Sequence, residues 1–221
     1  MDKPRLTPTI EDYLSLFLIL ERDNEPVIGA RLAELLGVSP PTVTNTMQRM
    51  MRNGLIEPHE TRGTRLTEKG VQAARSVMRR HMLSEWLVSR MVGWSKAHTQ
   101  AHEMEHVISS ELENALIEDL KNPQTCPHGN PLPGFEDVTL KWAPLTDFTP
   151  GDFIIIRRVH ELAEEVAGVL SFLEEKNFLP GTRAEVMEIL SFNQTMTLKL
   201  EQGETVTLGL GVARYIFAEP A

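Results

Sequence analysis

The sequence predicts a mainly α-helical chain with a small β domain at its C-terminal end. Three observations carry that prediction. Apolar residues recur at helical spacing through most of the first 120 positions. Residues 122–150 then hold six prolines (Pro123, Pro127, Pro131, Pro133, Pro144, Pro150). Beyond them, short alternating apolar and polar runs take over.

The elements follow in order. Thr9 to Glu21 carries Ile10, Leu14, Phe17 and Leu18 at i, i+4, i+7, i+8, an amphipathic helix that Asp23-Asn24-Glu25-Pro26 ends. Gly29 to Leu36 is a second, short helix. Gly37 suits the left-handed residue that closes it, and Ser39 suits the N-cap of the next. Pro40 and Pro41 fall in the first turn, where a missing N–H costs little. That third helix runs to about Arg52, with Val43, Met47 and Met50 inward, and Asn53-Gly54 stops it. Leu55 to Thr67 is two extended runs around Gly63, a β-hairpin. Long helices are expected over Glu68–Met91 and Thr99–Leu120. From Phe148 the reading is a strand at Phe153–Ile156, a helix over Glu161–Lys176, a turn at Leu179-Pro180-Gly181 and three alternating strands. Val212–Phe217 closes the chain. Short strands with one helix suggest an SH3-like barrel. The expected division is 1–70, a winged helix-turn-helix; 71–122, a helical domain; 123–147, a proline-rich linker without packing of its own; and 148–221, the β domain.

Composition excludes several classes. The chain has 221 residues, 41% hydrophobic and 24% charged, so wholesale disorder is not expected. No apolar run is long enough for a membrane helix. Met1-Asp2-Lys3-Pro4-Arg5 is polar, without the hydrophobic core of a signal peptide. A single cysteine, Cys126, cannot form an internal disulfide, and this points to a reducing cytoplasm. Net charge is −9, yet residues 39–80 carry eight Lys/Arg against three acids. A basic segment on an acidic body is the electrostatic footprint of a small DNA-reading module.

Helix, tight turn, helix and basic hairpin is the order that places a recognition helix in the major groove. Ser39, Thr42, Thr44, Asn45 and Gln48, with Pro41 and Arg49 beside them, start that helix. Asn and Gln can pair bidentately with adenine edges. Arg62 and Arg65 on the hairpin are placed for phosphates or the minor groove. The alternative is a helical hairpin that merely has a polar face.

Histidines make the second pattern. His98, His102 and His106 follow at i, i+4, i+8, and Glu105 lies beside the last two. On one helix all four share a broad face, a donor set suited to manganese, iron, cobalt or zinc. The alternative is a wet face with scattered imidazoles. His102 to His106 also reads H-x-x-E-H, the inverted zinc-peptidase pattern, with Glu105 as base; the chain has little room for a catalytic domain. His81 and Glu85, at i and i+4, together with Cys126-Pro127-His128, could form another divalent site. A metal-storing or adaptor protein remains a further alternative.

Taken together, several segments resemble the diphtheria toxin repressor family of metal-dependent transcriptional regulators. They are Ile10-Glu11-Asp12-Tyr13-Leu14, Ser39-Pro40-Pro41-Thr42-Val43-Thr44, Arg79-Arg80-His81 with Glu85, Glu105-His106-Val107-Ile108-Ser109, and Cys126-Pro127-His128-Gly129-Asn130-Pro131-Leu132-Pro133-Gly134. The resemblance covers nearly the whole chain. It implies a winged-helix DNA-binding domain, a helical dimerisation and metal-binding domain and a C-terminal SH3-like (FeoA-like) domain. It also implies a homodimer on palindromic operator DNA, with no membrane, no small-molecule substrate and no enzymatic activity. Asp12 falls at an aspartate ligand of manganese-type members, where iron-type members have methionine. Glu105 and His106 fall on two further ligands of the primary site. His102 stands where iron-type members have cysteine and manganese-type members glutamate, and Ser15 where the latter can have a second carboxylate. His81, Glu85 and His98 match an ancillary site. Cys126 and His128 match a secondary site, which Glu165, or alternatively Glu164, would complete from the C-terminal domain. Asp12, Glu105 and two histidines form a hard-to-borderline set that points to Mn2+, alternatively Fe2+, with other divalent transition metals binding in vitro.

Overall fold

The computed structural model describes residues 6–221, so the N-terminal reading of Met1 to Arg5 lies outside the described residues. The chain forms two compact units, one ending at Arg80 and one running from His81 to Ala221. The division falls within a single helix.

In the first unit, α1 (Pro8–Arg22) buries Ile10, Tyr13, Leu14, Phe17 and Leu20. α2 (Gly29–Leu36) buries only Leu32. Gly37 closes it in the left-handed conformation, φ +62°. The Ser39 hydroxyl caps α3 (Pro40–Arg52) by accepting from the Thr42 N–H at 3.4 Å. Val43, Thr46 and Met50 are the buried residues of α3. Met47 is only half-buried, because Thr46 takes the inward position.

Strands β1 (Ile56–His59) and β2 (Gly63–Leu66) pair antiparallel, Ile56 opposite Leu66 and His59 opposite Gly63. Val27 joins this wing through Val27 N–H to Arg62 O and Thr64 N–H to Val27 O, both 3.1 Å. Gly63 is required there. Its φ is +82°, and a Cβ would stand 2.6 Å from the Val27 carbonyl oxygen.

α4 (Glu68–Val92) runs across the division, and Gly93 at φ +94° ends it. The single helix expected over Thr99–Leu120 is two: α5 (Trp94–Met104) and α6 (Ser110–Asp119). Ser109 is extended, with φ −82° and ψ 159°, and its hydroxyl caps α6 by accepting from Leu112 N–H at 3.2 Å. A serine that satisfies the next helix's orphan donors starts a new helix instead of continuing the old one.

The proline-rich stretch also departs from expectation. Cys126, His128, Asn130 and Leu132 are buried. Cys126 N–H donates to Asn130 O at 2.8 Å, and Val159 N–H donates to His128 O at 2.8 Å. Pro123, Pro127, Pro131 and Pro133 offer no N–H for a helix or extended ladder, and they stiffen a loop that packs against its own unit.

Beyond that loop come β3 (Ala143–Pro144), β4 (Phe153–Val159), α7 (Glu161–Glu164), α8 (Val169–Glu175), β5 (Arg183–Leu190), β6 (Thr195–Leu200), β7 (Thr205–Gly209), α9 (Leu210–Ala213) and β8 (Ile216–Pro220). The helix expected over Glu161–Lys176 is interrupted, with Gly168 at φ +83° preceding α8. The segment expected over Val212–Phe217 is split between α9 and β8. The strands form one antiparallel sheet in the order β3-β8-β4-β5-β6-β7. Ile154, Ile156, Val186 and Leu198 pack with Leu173 and Phe178 in its core. No described helix is long and apolar enough to cross a membrane.

Candidate metal centre and DNA interface

The first unit presents a polar helix and a basic wing. Ser39, Pro41, Thr42, Thr44, Asn45, Gln48 and Arg49 are all exposed, because the buried stripe of α3 occupies its opposite face. On the wing, Arg62 Nη1 donates to Asn24 Oδ1 at 2.9 Å. Arg65 directs Nε and Nη2 at one Glu57 oxygen, 2.7 and 2.6 Å away. Neighbouring side chains thus hold both guanidiniums in defined positions. Asp12 sits half-buried on α1 of this unit.

The second unit gathers most of the remaining candidates. α4 supplies His81 and Glu85, one turn apart. α5 supplies His98 and His102, and the turn after it supplies Glu105 and His106. The buried loop adds Cys126 and His128, and α7 adds Glu164. Two groups result, joined through His81.

The first group is built around Glu105. Its Oε2 accepts from His81 Nδ1 at 2.5 Å. Its Oε1 faces His102 Nδ1 at 3.6 Å and His106 Nε2 at 3.8 Å. Glu105 is 3% exposed, whereas His102 is 52% exposed, so this group opens towards solvent on the His102 side. His106 lies beyond the end of α5. The three residues are brought together by the turn, not by the continuous i, i+4, i+8 face that the sequence suggested.

The second group is fully internal. Glu85 Oε1 lies 3.1 Å from both His81 Nε2 and His98 Nδ1. Glu85 Oε2 lies 3.3 Å from His128 Nδ1. Glu164 Oε2 is 2.7 Å from His98 Nδ1, and its Oε1 is 3.7 Å from His128 Nδ1. Donor atoms of Glu85, Cys126, His128 and Glu164 all lie within 4.8 Å of one another. Glu85 Oε2 and His128 Nδ1 are buried without an aligned hydrogen bond. The two atoms face each other as a buried ion pair, an arrangement in which a cation could replace the imidazole proton.

Electrostatics agree. Burial by itself would depress His81, but the carboxylates of Glu105 and Glu85 outweigh it and hold the imidazole at about 9. His98 is raised well above its ordinary value, burial being outweighed by Glu164, Glu165 and Glu85. His128 stands at about 8, burial again yielding to Glu164 and Glu85. Glu85 is held well below the usual carboxylate range, because His128, His81 and His98 overcome its burial. Burial, then Glu85 and Glu164, push the Cys126 thiol well up. Without metal, protons thus neutralise a pocket built for positive charge. The donors are thiol, imidazole and carboxylate, the set that binds divalent first-row metals.

Glu164, rather than Glu165, joins Cys126 and His128. Glu165 is 70% exposed and accepts from His98 Nε2 at 3.0 Å, so it orients that ring. Sequence reading also missed Asn130 and Trp94. Asn130 Nδ2 donates to Glu164 Oε1 at 2.5 Å and to Val159 O at 2.8 Å, while its Oδ1 accepts from Arg158 Nε at 2.5 Å. The Trp94 carbonyl accepts from His128 Nε2 at 3.0 Å, and the two rings lie 4.5 Å apart. The signal available for Asn130 was its place between Cys126 and the prolines; nothing local marks Trp94.

A winged helix-turn-helix followed by helices carrying clustered imidazoles and carboxylates, and then by a β domain, defines a metal-responsive DNA-binding regulator. Known proteins agree. Three family profiles match in chain order: the N-terminal DNA-binding domain of iron-dependent repressors over residues 5–64, their metal-binding and dimerisation domain over 67–134, and the FeoA domain over 143–220. The iron-dependent repressor IdeR of Mycobacterium leprae is 34% identical over 194 residues, 82% of this chain and 84% of that one. The diphtheria toxin repressor of Corynebacterium efficiens is 39% identical over 137 residues, 61% of this chain and 60% of that one. Among solved structures, a manganese-dependent transcriptional repressor in complex with manganese superposes with a TM-score of 0.80 at 26% identity, covering 96% of this chain and all of the other. The manganese regulator SloR shares the fold, with a TM-score of 0.78 at 24% identity over 98% of this chain and 100% of that one. The chain belongs to the iron-dependent repressor family of metal-dependent transcriptional repressors. The peptidase alternative is not supported: this is a repressor family, and the would-be base Glu105 is engaged by His81.

Proposed function

We propose that this chain is a cytoplasmic, homodimeric repressor of metal-homeostasis genes. In this reading it senses Mn2+, alternatively Fe2+, binds palindromic operator DNA, and has neither a small-molecule substrate nor catalytic activity. The observation that carries the reading is Glu105 flanked by His102 and His106 in a chain whose first unit exposes a polar recognition helix and a basic wing.

Asp12 on α1 would complete the primary set with His102, Glu105 and His106. A divalent ion held by these residues would supply one positive charge to carboxylates and imidazoles of both units, and Asp12 would then tie the winged helix to the dimerisation helices. In a two-fold dimer that tie sets the spacing of the two α3 helices, which must match half-sites about one turn of DNA apart. The ligated arrangement is favoured from a pre-existing equilibrium, so operator and metal tighten each other's binding by the same factor. The lack of thiolate or thioether in this set supports manganese over softer ions. The seven exposed α3 positions, with Arg62 and Arg65, would make the DNA contacts.

Retention of random genomic fragments at fixed salt, with the chelated full chain and then with Mn2+ or anaerobic Fe2+, tests this. Metal-dependent capture of a few fragments, abolished in Asp12→Ala with the dimer intact, is expected. Equal capture with and without metal, or stimulation retained in Asp12→Ala, would overturn it.

A further inference from the structure

His59 and His160 belong to none of the donor groups described above. His59 is the last residue of β1 and pairs across the hairpin with Gly63, so the wing turns through Glu60, Thr61 and Arg62. Its Nδ1 reaches over that turn. It accepts from the Thr61 N–H at 3.3 Å and from the Arg62 N–H at 3.2 Å. A ring nitrogen that accepts carries no proton, so the imidazole is neutral here with its proton on Nε2.

Arg62 is thereby held at three points. His59 takes its N–H, Val27 N–H donates to its carbonyl oxygen at 3.1 Å, and Asn24 Oδ1 accepts from its Nη1 at 2.9 Å. A guanidinium has five N–H donors, and the Arg62 side chain is exposed, so the Asn24 contact orients the cation without using it up. Val27 and Asn24 belong to the segment between α1 and α2; His59 holds the turn from within the hairpin. A three-residue turn whose N–H groups face water samples many shapes, and one acceptor that takes two of them selects one shape. Asn and Asp commonly do this in turns. Asn Oδ1 stands the same number of bonds from the backbone as His Nδ1, whereas Gln Oε1 stands one bond further out.

We infer that His59 is a positioning residue for DNA binding: as the acceptor inside the wing turn, its Nδ1 places Arg62 for a phosphate. The imidazole acts through Arg62 and not by its own charge. An Arg62 on a loose turn must lose turn and side-chain freedom when it meets DNA, so removing the acceptor weakens binding while the positive charge stays. The inference rests on the reading of the hairpin as a DNA-contacting wing, and it is independent of metal gating by Asp12.

The test measures the affinity of the full chain, in saturating Mn2+, for a random-sequence duplex over a series of salt concentrations. His59→Ala and His59→Gln should lose about 3- to 10-fold in affinity, the worth of one or two net hydrogen bonds. Their slope of log affinity against log salt should fall towards that of Arg62→Ala. His59→Asn, whose Oδ1 replaces Nδ1, should keep both values of the wild type. Amide exchange at Thr61 and Arg62 should accelerate in the Ala and Gln variants and not in Asn. The double variant His59→Ala/Arg62→Ala should bind no more weakly than Arg62→Ala alone, since an absent guanidinium cannot be misplaced. Wild-type binding or unchanged amide exchange in His59→Ala, a His59→Asn that behaves like Ala, or additive losses in the double variant would overturn the positioning role while leaving the wing standing. A silent Arg62→Ala would sink the wing reading itself, and the inference with it.

Discussion

Raising the pH of the metal-free chain should destabilise its second unit. His81 at about 9 and His128 at about 8 are both raised above their ordinary 6.5 and both buried. A group raised on folding contributes stability that is complete below the unfolded value and is lost as pH climbs through the folded one. The loss therefore begins above 6.5 and is complete somewhat above 9. A tenfold change in proton affinity is worth ~1.4 kcal/mol, so His128 alone carries about 2 kcal/mol and His81 about 3. Both lean on Glu85, so the two do not add, and a combined fall of roughly 2–4 kcal/mol is expected. All three tryptophans, Trp86, Trp94 and Trp142, lie in this unit, so their fluorescence follows it alone. Urea titrations in chelator from pH 6 to 9.5 would read the fall. Saturating Mn2+ should flatten it, since the ligated imidazoles no longer hold the protons. A midpoint constant or rising between pH 7 and 9.5 without metal would refute the view that protons balance the buried carboxylates.

Three further outcomes follow from single contacts. In Gly129→Ala, at φ +90°, the new Cβ would stand 2.0 Å from the Arg157 carbonyl oxygen. The loop must move, costing ~2 kcal/mol or more, and on loading with Co2+ the thiolate-to-cobalt band of Cys126 should weaken; a wild-type band and urea midpoint would show that the loop's packing is not needed. Arg62→Ala should weaken binding to all DNA sequences alike and lower the slope of log affinity against log salt by about 1, whereas an unchanged slope would remove the wing from the interface. Ser39→Ala removes the α3 cap and should cost ~1 kcal/mol in a circular-dichroism melt of the first unit, with a loss below ~0.3 kcal/mol arguing against the cap.

The legible parts of this fold are those with local punctuation. Gly29–Leu36 and Pro40–Arg52 appear with the boundaries read from sequence, because Gly37, Ser39 and Pro40 act on backbone within a few residues. The break at Ser109 was less legible: His98, His102 and His106 keep helical spacing across a chain that has already left the helix. At Gly168, a glycine inside an apolar pattern did not outweigh the periodicity around it.

For the site, residue types and spacing brought forward His98, His102, Glu105 and His106 as one candidate donor set and His81, Glu85, Cys126 and His128 as another, and the structure brings these side chains near one another. Choosing between Glu164 and Glu165 required tertiary structure. Adjacent residues on a helix point about 100° apart, and the rotation of α7 is set by burial of Leu162 and Ala163 and by the reach of Asn130 from a loop 34 positions away. The same holds for the Trp94 carbonyl on His128 and for the two-sided use of Glu85 and Glu164. Sequence determined which chemistry the chain carries. Only the packing of the loop against β4 and α7 decided which oxygen faces which nitrogen, because those distances depend on contacts between segments that sequence spacing does not relate.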